Sequence, residues 1–117
     1  MNFTRPIAYL EPSDFTVSGQ LKNSILKQGT VVIMIQKPDC IFCKEAKPAY
    51  QAAANILKDK VFFTTLECSN IGSEYLASKI KPDFSGYPDY VKFKNGKRSY
   101  EVLNGRNVSS LISWAQN

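Results

Sequence analysis

The chain has 117 residues, 44% of them apolar, and carries 15 Lys and Arg against 10 Asp and Glu, with no His and three Cys. A chain of this length can bury enough apolar surface to fold without cross-links. The absence of His excludes Ser-His-Asp triads, Cys-His pairs and His-ligated zinc, and three Cys cannot complete an all-Cys zinc site. We therefore expect one domain over residues 1–117, no metal or other cofactor, and chemistry based on sulfur, carboxylate or lysine.

The net charge of +5 is spread along the sequence. The tightest basic cluster flanks Asn95-Gly96, a dipeptide typical of a hairpin turn, and we interpret it as a solvated surface. The cluster contains Lys92, Lys94, Lys97 and Arg98. Nucleic-acid binding is therefore the weakest functional hypothesis.

The sequence shows no secretory leader pattern and no apolar run long enough for a membrane span, since the longest strong run covers only residues 31–35. We expect a monomer in a reducing, cytoplasmic compartment, away from membranes. A mature exported form would show the same pattern.

Apolar patterns predict alternating strands and helices in the first half of the chain. Residues 7–10 form a short apolar strand, and three apolar residues at helical spacing predict a helix over residues 18–27, ended by Gly29. These three are Leu21, Ile25 and Leu26. The continuous β-branched run over residues 31–35 predicts a central strand that is buried on both faces.

The second half continues the alternation and ends with a hairpin. A long helix is predicted over residues 40–58, a strand over residues 61–66 and a helix over residues 71–80. Strands over residues 90–93 and 99–103 then flank the Asn95-Gly96 turn, and a last helix begins near Asn107, after Gly105. The order β-α-β-α-β-α-β-β-α predicts an α/β domain, with a mixed sheet of four to five strands and helices on both faces.

The motif Cys40-Ile41-Phe42-Cys43 begins the long helix directly after the central strand. Residues three apart share a helix face, so the two thiols can form and break a disulfide without refolding. Cys40 is expected at the helix N-terminus, where free N–H groups stabilise a thiolate, and Cys43 one turn inside. The motif predicts Cys40 as nucleophile and Cys43 as resolving thiol. The positive charge of Lys37 would favour a thiolate nearby, and the negative charge of Asp39 would oppose it.

Two other interpretations of Cys40 and Cys43 are half of a zinc site and a pair of ordinary core thiols; the position of the motif, where a strand meets a helix in an alternating pattern, favours redox chemistry over both. A CxxC motif is often half of a zinc site, but this sequence has no His and no second CxxC to complete one. The third cysteine, Cys68, ends the third strand and is predicted to be a small buried apolar side chain; a regulatory thiol or an intermolecular disulfide is the alternative.

The ordered set of motifs resembles the thioredoxin family over nearly the whole chain. The resemblance is carried by the strand at residues 31–35, Cys40 with Cys43, Pro48, Tyr87-Pro88, Phe93-Lys94-Asn95-Gly96-Lys97 and Gly105. The segment Ser85-Gly86-Tyr87-Pro88 is similar to the protein disulfide isomerase branch. The resemblance implies a thioredoxin-like fold and a thiol–disulfide oxidoreductase that acts on disulfide-containing proteins, with a thioredoxin reductase-like enzyme or glutathione as electron donor.

The resemblance also implies further site residues. Pro88 would be cis and pack beside the sulfurs, so that the backbone of Tyr87 could pair with an extended substrate. Gly105 and Arg106 would lie on the same rim.

Several positions depart from the family pattern. Ile41 and Phe42 replace the usual Gly-Pro or Gly-His between the cysteines, and Asp39 replaces a Trp. Met34 occupies the place of a buried acid that takes the proton of the resolving thiol, so we expect slow resolution. Together with Lys37, these positions are expected to tune the reactivity of the two thiols.

These departures keep other functions open. A thioredoxin-like protein-binding module with little turnover is one alternative, and an oxidant or isomerase of the protein disulfide isomerase type is another. A glutaredoxin-like role with glutathione is weaker, because the region after the hairpin lacks paired glycines.

Overall fold

A five-stranded mixed sheet organises the chain in the computed structural model, which describes residues 3–117. Its strands are β1 (Ala8–Leu10), β2 (Thr30–Gln36), β3 (Val61–Glu67), β4 (Asp89–Lys94) and β5 (Lys97–Ser99), in the order β1-β3-β2-β4-β5. β3 is parallel to both β1 and β2, whereas β4 is antiparallel to β2 and β5. β2 is central because its β-branched side chains are buried on both faces, as predicted.

Helices cover both faces of this sheet. The helices are α1 (Ile41–Ile56), α2 (Ile71–Ile80) and α3 (Val108–Gln116). α1 and α3 bury their apolar residues on one face, and α2 packs on the other beside the loop that precedes β2. The predicted mixed sheet with helices on both faces is therefore confirmed. None of the helices within residues 3–117 has the length and apolarity that a membrane span requires.

The predicted helix over residues 18–27 is wrong. The loop before β2 contains a short 3-10 helix (Pro12–Asp14), an isolated antiparallel bridge between Phe15 and Leu21, and turns. Gly19 has a φ of +86° and lies so near α2 that a β-carbon there would be 3.0 Å from the carbonyl carbon of Lys79. The Asn23 side chain accepts a hydrogen bond from the N–H of Ile25, a local bond that competes with helix formation. The apolar spacing therefore reflects loop residues that pack on the sheet.

The second strand of the hairpin is shorter than predicted. The turn has the expected geometry, with positive φ at Asn95 (52°) and Gly96 (84°), but β5 ends at Ser99 rather than at residue 103. Beyond β5 the chain turns towards α3, where the carbonyl of Glu101 accepts a hydrogen bond from Nε1 of Trp114 at 2.9 Å.

The basic cluster at the hairpin is not uniformly solvated, and the prediction is wrong for Lys92. The side chain of Lys92 has no exposed surface. Its Nζ donates hydrogen bonds to the carbonyls of Trp114 (2.6 Å) and Asn117 (3.3 Å) and forms an ion pair with Glu101 at 2.7 Å. A cation here offsets the negative end of the α3 dipole, so Lys92 ties α3 to the sheet.

Candidate active site

Cys40 is the N-cap residue of α1. Its Sγ accepts a hydrogen bond from the N–H of Cys43 at 3.2 Å, and its thiol donates to the carbonyl of Tyr87 at 3.8 Å. Cys40 is 9% exposed. The N–H of Cys43 and the positive end of the α1 dipole therefore meet at a sulfur at the edge of solvent.

Cys43 lies one turn further along α1 and is 1% exposed. Burial is the main cause that raises the pKa of Cys43 to about 11, and its hydrogen bond with Cys40 raises it further. A hydrogen bond with the backbone of Lys37 and the positive charge of Lys47 act in the opposite direction. Both cysteines are free thiols, so the structure shows the dithiol form, in which Cys43 is protonated at neutral pH.

The loop before β4 faces this cysteine pair. The Tyr87–Pro88 peptide bond is cis, as the resemblance implies, and the Tyr87 carbonyl points to Cys40. The Tyr87 ring packs against Phe84 with centroids 4.9 Å apart, and Nζ of Lys37 lies 5.2 Å from its centroid. The side chain of Lys37 thus contacts the loop, and only its backbone reaches Cys43.

Cys68 contacts the same loop through the side chain of Tyr87. It is 4% exposed, and its thiol donates to the carbonyl of Ser73 at 3.5 Å. Burial, and then a hydrogen bond with Cys68, raise the pKa of the Tyr87 hydroxyl. The expected burial of Cys68 is confirmed, but its contact with Tyr87 was not foreseen, because it depends on how α2 packs against the loop.

The residues around Cys40 form an apolar rim. Ile41 and Phe42 are 67% and 60% exposed, and they line an open groove together with Phe84 and Tyr87. Asp39, directly before the motif, has a left-handed φ of 60°, a conformation that Asp tolerates better than most residues. Its side chain is exposed, so it adds charge at the solvent edge of the rim.

Gly105 and Arg106 lie on the other side of Pro88. The three residues line one cavity of about 380 Å³, and Arg106 also reaches a second groove beside Phe42. Gly105 has a φ of +95°, and a β-carbon there would lie 3.1 Å from Oγ of Ser110. The structure therefore brings Pro88, Gly105 and Arg106 to one cavity, and Arg106 to the side of Phe42.

Met34 is completely buried on β2, where its thioether offers no proton acceptor. Polar side chains that the sequence analysis missed lie next to it: Gln36 on the same strand and Tyr90 directly across on β4. The polar Gln36 at the end of an otherwise apolar strand was the available signal. Within the described residues, no three His, Cys, Asp or Glu side chains are placed to hold a metal ion.

Comparisons with known proteins agree with this architecture. The thioredoxin family model matches residues 14–117. Thioredoxin-like protein 453L of Invertebrate iridescent virus 6 is 34% identical over 131 aligned positions, which cover 96% of this chain and 94% of the viral protein.

Larger proteins share the same kind of domain. Protein disulfide-isomerase 1 of Caenorhabditis elegans is 30% identical over 87 residues, covering 74% of this chain but only 17% of that protein. The crystal structure of the Trx4 domain of ERdj5 superposes with a TM-score of 0.70 at 18% identity, covering 95% of this chain and 93% of that domain. At that identity the structural likeness concerns the fold alone.

Proposed function

Because the chain belongs to the thioredoxin family, we propose that it is a thiol–disulfide oxidoreductase that reduces or exchanges disulfides in protein substrates. The observation that carries the proposal is the position of Cys40. Its sulfur caps α1, accepts the N–H of Cys43 and lies against the carbonyl of Tyr87. This arrangement places a helix N-terminus and a backbone site for the substrate beside one sulfur, which suits that sulfur to act as the nucleophile.

The reaction proceeds by two exchanges of sulfur bonds. The Cys40 thiolate attacks a substrate disulfide, forms a mixed disulfide and releases one substrate sulfur as thiolate. The Cys43 thiol loses its proton and attacks Cys40, which forms the Cys40–Cys43 disulfide and releases the second substrate sulfur. The substrate gains two electrons, and the protein loses two.

The rim favours an extended substrate segment with apolar side chains. The backbone of Tyr87 can pair with such a segment, while the exposed Ile41 and Phe42 contact its side chains. We propose that a thioredoxin reductase-like enzyme or glutathione returns the protein to the dithiol form in a reducing intracellular compartment.

The reduction potential decides the direction of the reaction. We would equilibrate the protein in glutathione buffers, determine the Cys40–Cys43 potential and measure insulin reduction with and without Cys40→Ser. A value near about −270 mV with Cys40-dependent turnover supports a reductase, whereas about −180 mV or above indicates an oxidant or isomerase.

A binding module with little turnover is the second candidate. It is favoured by the buried Met34 and by a resolving thiol whose pKa is raised to about 11. Substrate binding at the rim without any insulin reduction, and without a mixed disulfide, would support this function and contradict the first.

Introducing a base at position 34 is expected to speed resolution. In the mixed disulfide Cys40 carries no charge, so burial remains the main cause that keeps Cys43 protonated. The release rate of the unaltered protein should therefore rise about tenfold per pH unit from pH 7, because the thiolate fraction rises so below the pKa. Met34→Asp places a carboxylate on the buried face and should raise the rate at pH 7 by about tenfold or more, measured by rapid-quench detection of released thiol.

Met34→Asn is the matched control, because asparagine has the same shape as aspartate and cannot act as a base. Equal rates for the Asp and Asn variants, at comparable thermal stability, would contradict this account of slow resolution.

A further inference from the structure

The sequence contains two Asn-Gly dipeptides, Asn95-Gly96 and Asn104-Gly105, and each is followed by a basic residue. In such a dipeptide the backbone nitrogen of the glycine can attack the side-chain carbonyl of the asparagine, because glycine has no side chain to block the approach. The attack requires an asparagine side chain that is free to turn towards that nitrogen. The structure therefore decides which of the two dipeptides reacts.

Asn95 is held in the turn between β4 and β5. Its Oδ1 accepts a hydrogen bond from the N–H of Gly29 at 2.9 Å, and its own N–H donates to the carbonyl of Gly29 at 2.8 Å. The Asn95 side chain can turn towards the nitrogen of Gly96 only after the first of these bonds breaks. The second bond restrains the backbone, so both act against the reaction.

Asn104 lies in the segment between β5 and α3, and its side chain is exposed. It lines an open groove together with Ser109 and Ser110. Within residues 3–117, no hydrogen-bond partner exists for the side chain of Asn104 or for the N–H of Gly105. Both groups that the reaction needs are therefore free at this dipeptide.

We propose that Asn104 is a site of spontaneous conversion to aspartate and isoaspartate. The nitrogen of Gly105 gives up its proton and bonds to the side-chain carbonyl carbon of Asn104, and the side-chain amide leaves with that proton as ammonia. Water then opens the resulting five-membered imide at one of its two carbonyls, which leaves a carboxylate. No electrons are transferred, and water is the co-reactant. The proposal is independent of the proposed function, because no sulfur takes part.

The conversion would alter the rim beside Pro88, where Gly105 and Arg106 line the cavity. It places a negative charge two residues before Arg106, and isoaspartate adds one carbon to the main chain directly before Gly105. The groove that Asn104 lines also contains Ser110, in the first turn of α3. Because the positive end of a helix dipole favours a nearby carboxylate, the fold should survive the change.

The test compares the two dipeptides in one sample. The full chain is kept at physiological temperature, from neutral to mildly alkaline pH, and its chymotryptic peptides are analysed by mass spectrometry over time. Electron-transfer fragmentation distinguishes isoaspartate from aspartate. Asn104 should convert at least about tenfold faster than Asn95, because the reaction at Asn95 works against two hydrogen bonds. The rate at Asn104 should rise with pH, since the attacking nitrogen must lose its proton.

The unfolded chain is the matched control. In guanidinium chloride the hydrogen bonds of Asn95 are lost, so the two dipeptides should convert at similar rates. Asn104→Gln should slow the conversion at that position, because a six-membered ring closes less readily, and should leave Asn95 unchanged. Conversion of Asn104 no faster than Asn95 in the folded protein, or a difference that persists in guanidinium chloride, would overturn the proposal.

Discussion

Cys43→Ser protein is expected to stop after the first exchange and to remain covalently attached to its substrate through Cys40. Serine keeps the size of the side chain and removes the sulfur that releases the product. Turnover in the insulin assay should fall at least about a thousandfold, because the remaining route is attack by external thiols. The adduct should appear in non-reducing gels and intact-mass spectra, and disappear on addition of dithiothreitol.

Two control variants locate the reactive sulfur. Cys40→Ser should form no adduct, because Cys43 is 1% exposed and its pKa is raised to about 11. Cys68→Ser should form the same catalytic disulfide as the unaltered protein. An adduct that forms equally well in Cys40→Ser protein would show that the roles of the two cysteines are reversed.

Lys92→Met is expected to lower the free energy of unfolding by roughly 2–4 kcal/mol, the range for removing a buried charged partner and leaving its acceptors unpaired. Methionine fills the space of the lysine stem but leaves the carbonyls of Trp114 and Asn117 without their donor. The loss should appear in urea unfolding monitored by the fluorescence of Trp114, which Lys92 contacts.

Lys94→Met is the matched control. Lys94 lies 3.5 Å from the same Glu101 carboxylate, but its side chain is 44% exposed, so its removal should cost less than about 1 kcal/mol. Equal losses in the two variants would show that the ion pair, rather than the capping of α3, accounts for the effect.

The dependence of stability on pH in the acid range gives a second measurement of the effect of Lys92→Met. The hydrogen bond from Lys92 is the largest cause that lowers the pKa of Glu101 in the folded chain. Because the pKa of Glu101 is lower in the folded chain than in the unfolded chain, its ionised carboxylate stabilises the fold at pH values above the usual pKa range of Glu. This stabilisation is lost as the pH falls through the folded-state pKa. Lys92→Met should therefore flatten the stability curve in this acid range.

The parts of the fold that were predictable are those fixed by neighbouring residues. The buried strand at residues 31–35, the Asn95-Gly96 turn and the start of α1 at the cysteine motif depend on local composition and spacing, and they appear as expected. The helix predicted over residues 18–27 did not form, because Gly19 packs against Lys79 on α2, a distant partner, and the Asn23 side chain accepts the N–H of Ile25.

The site shows the same contrast between features set by residues adjacent in the sequence and features set by distant contacts. Cys40 could be placed because a helix N-terminus is visible in the sequence, whereas the burial of Lys92 depends on where α3 ends. The partnerless amide of Gln36 and hydroxyl of Tyr90 result from the pairing of β2 with β4 and the packing of α1 above them. Only the folded chain reveals that these polar atoms have no partner.

The capping of α1 by the sulfur of Cys40 couples folding to oxidation in one thermodynamic cycle. The Cys43 N–H donates a hydrogen bond to the sulfur of Cys40 in the dithiol form, and oxidation joins that sulfur to the sulfur of Cys43. We expect the cap to stabilise the folded dithiol form more than the folded disulfide form, because a disulfide sulfur is the weaker acceptor. By linkage, this difference in free energy makes the folded protein a stronger oxidant than its unfolded chain, so the start of this helix acts on the redox equilibrium as well as on the fold.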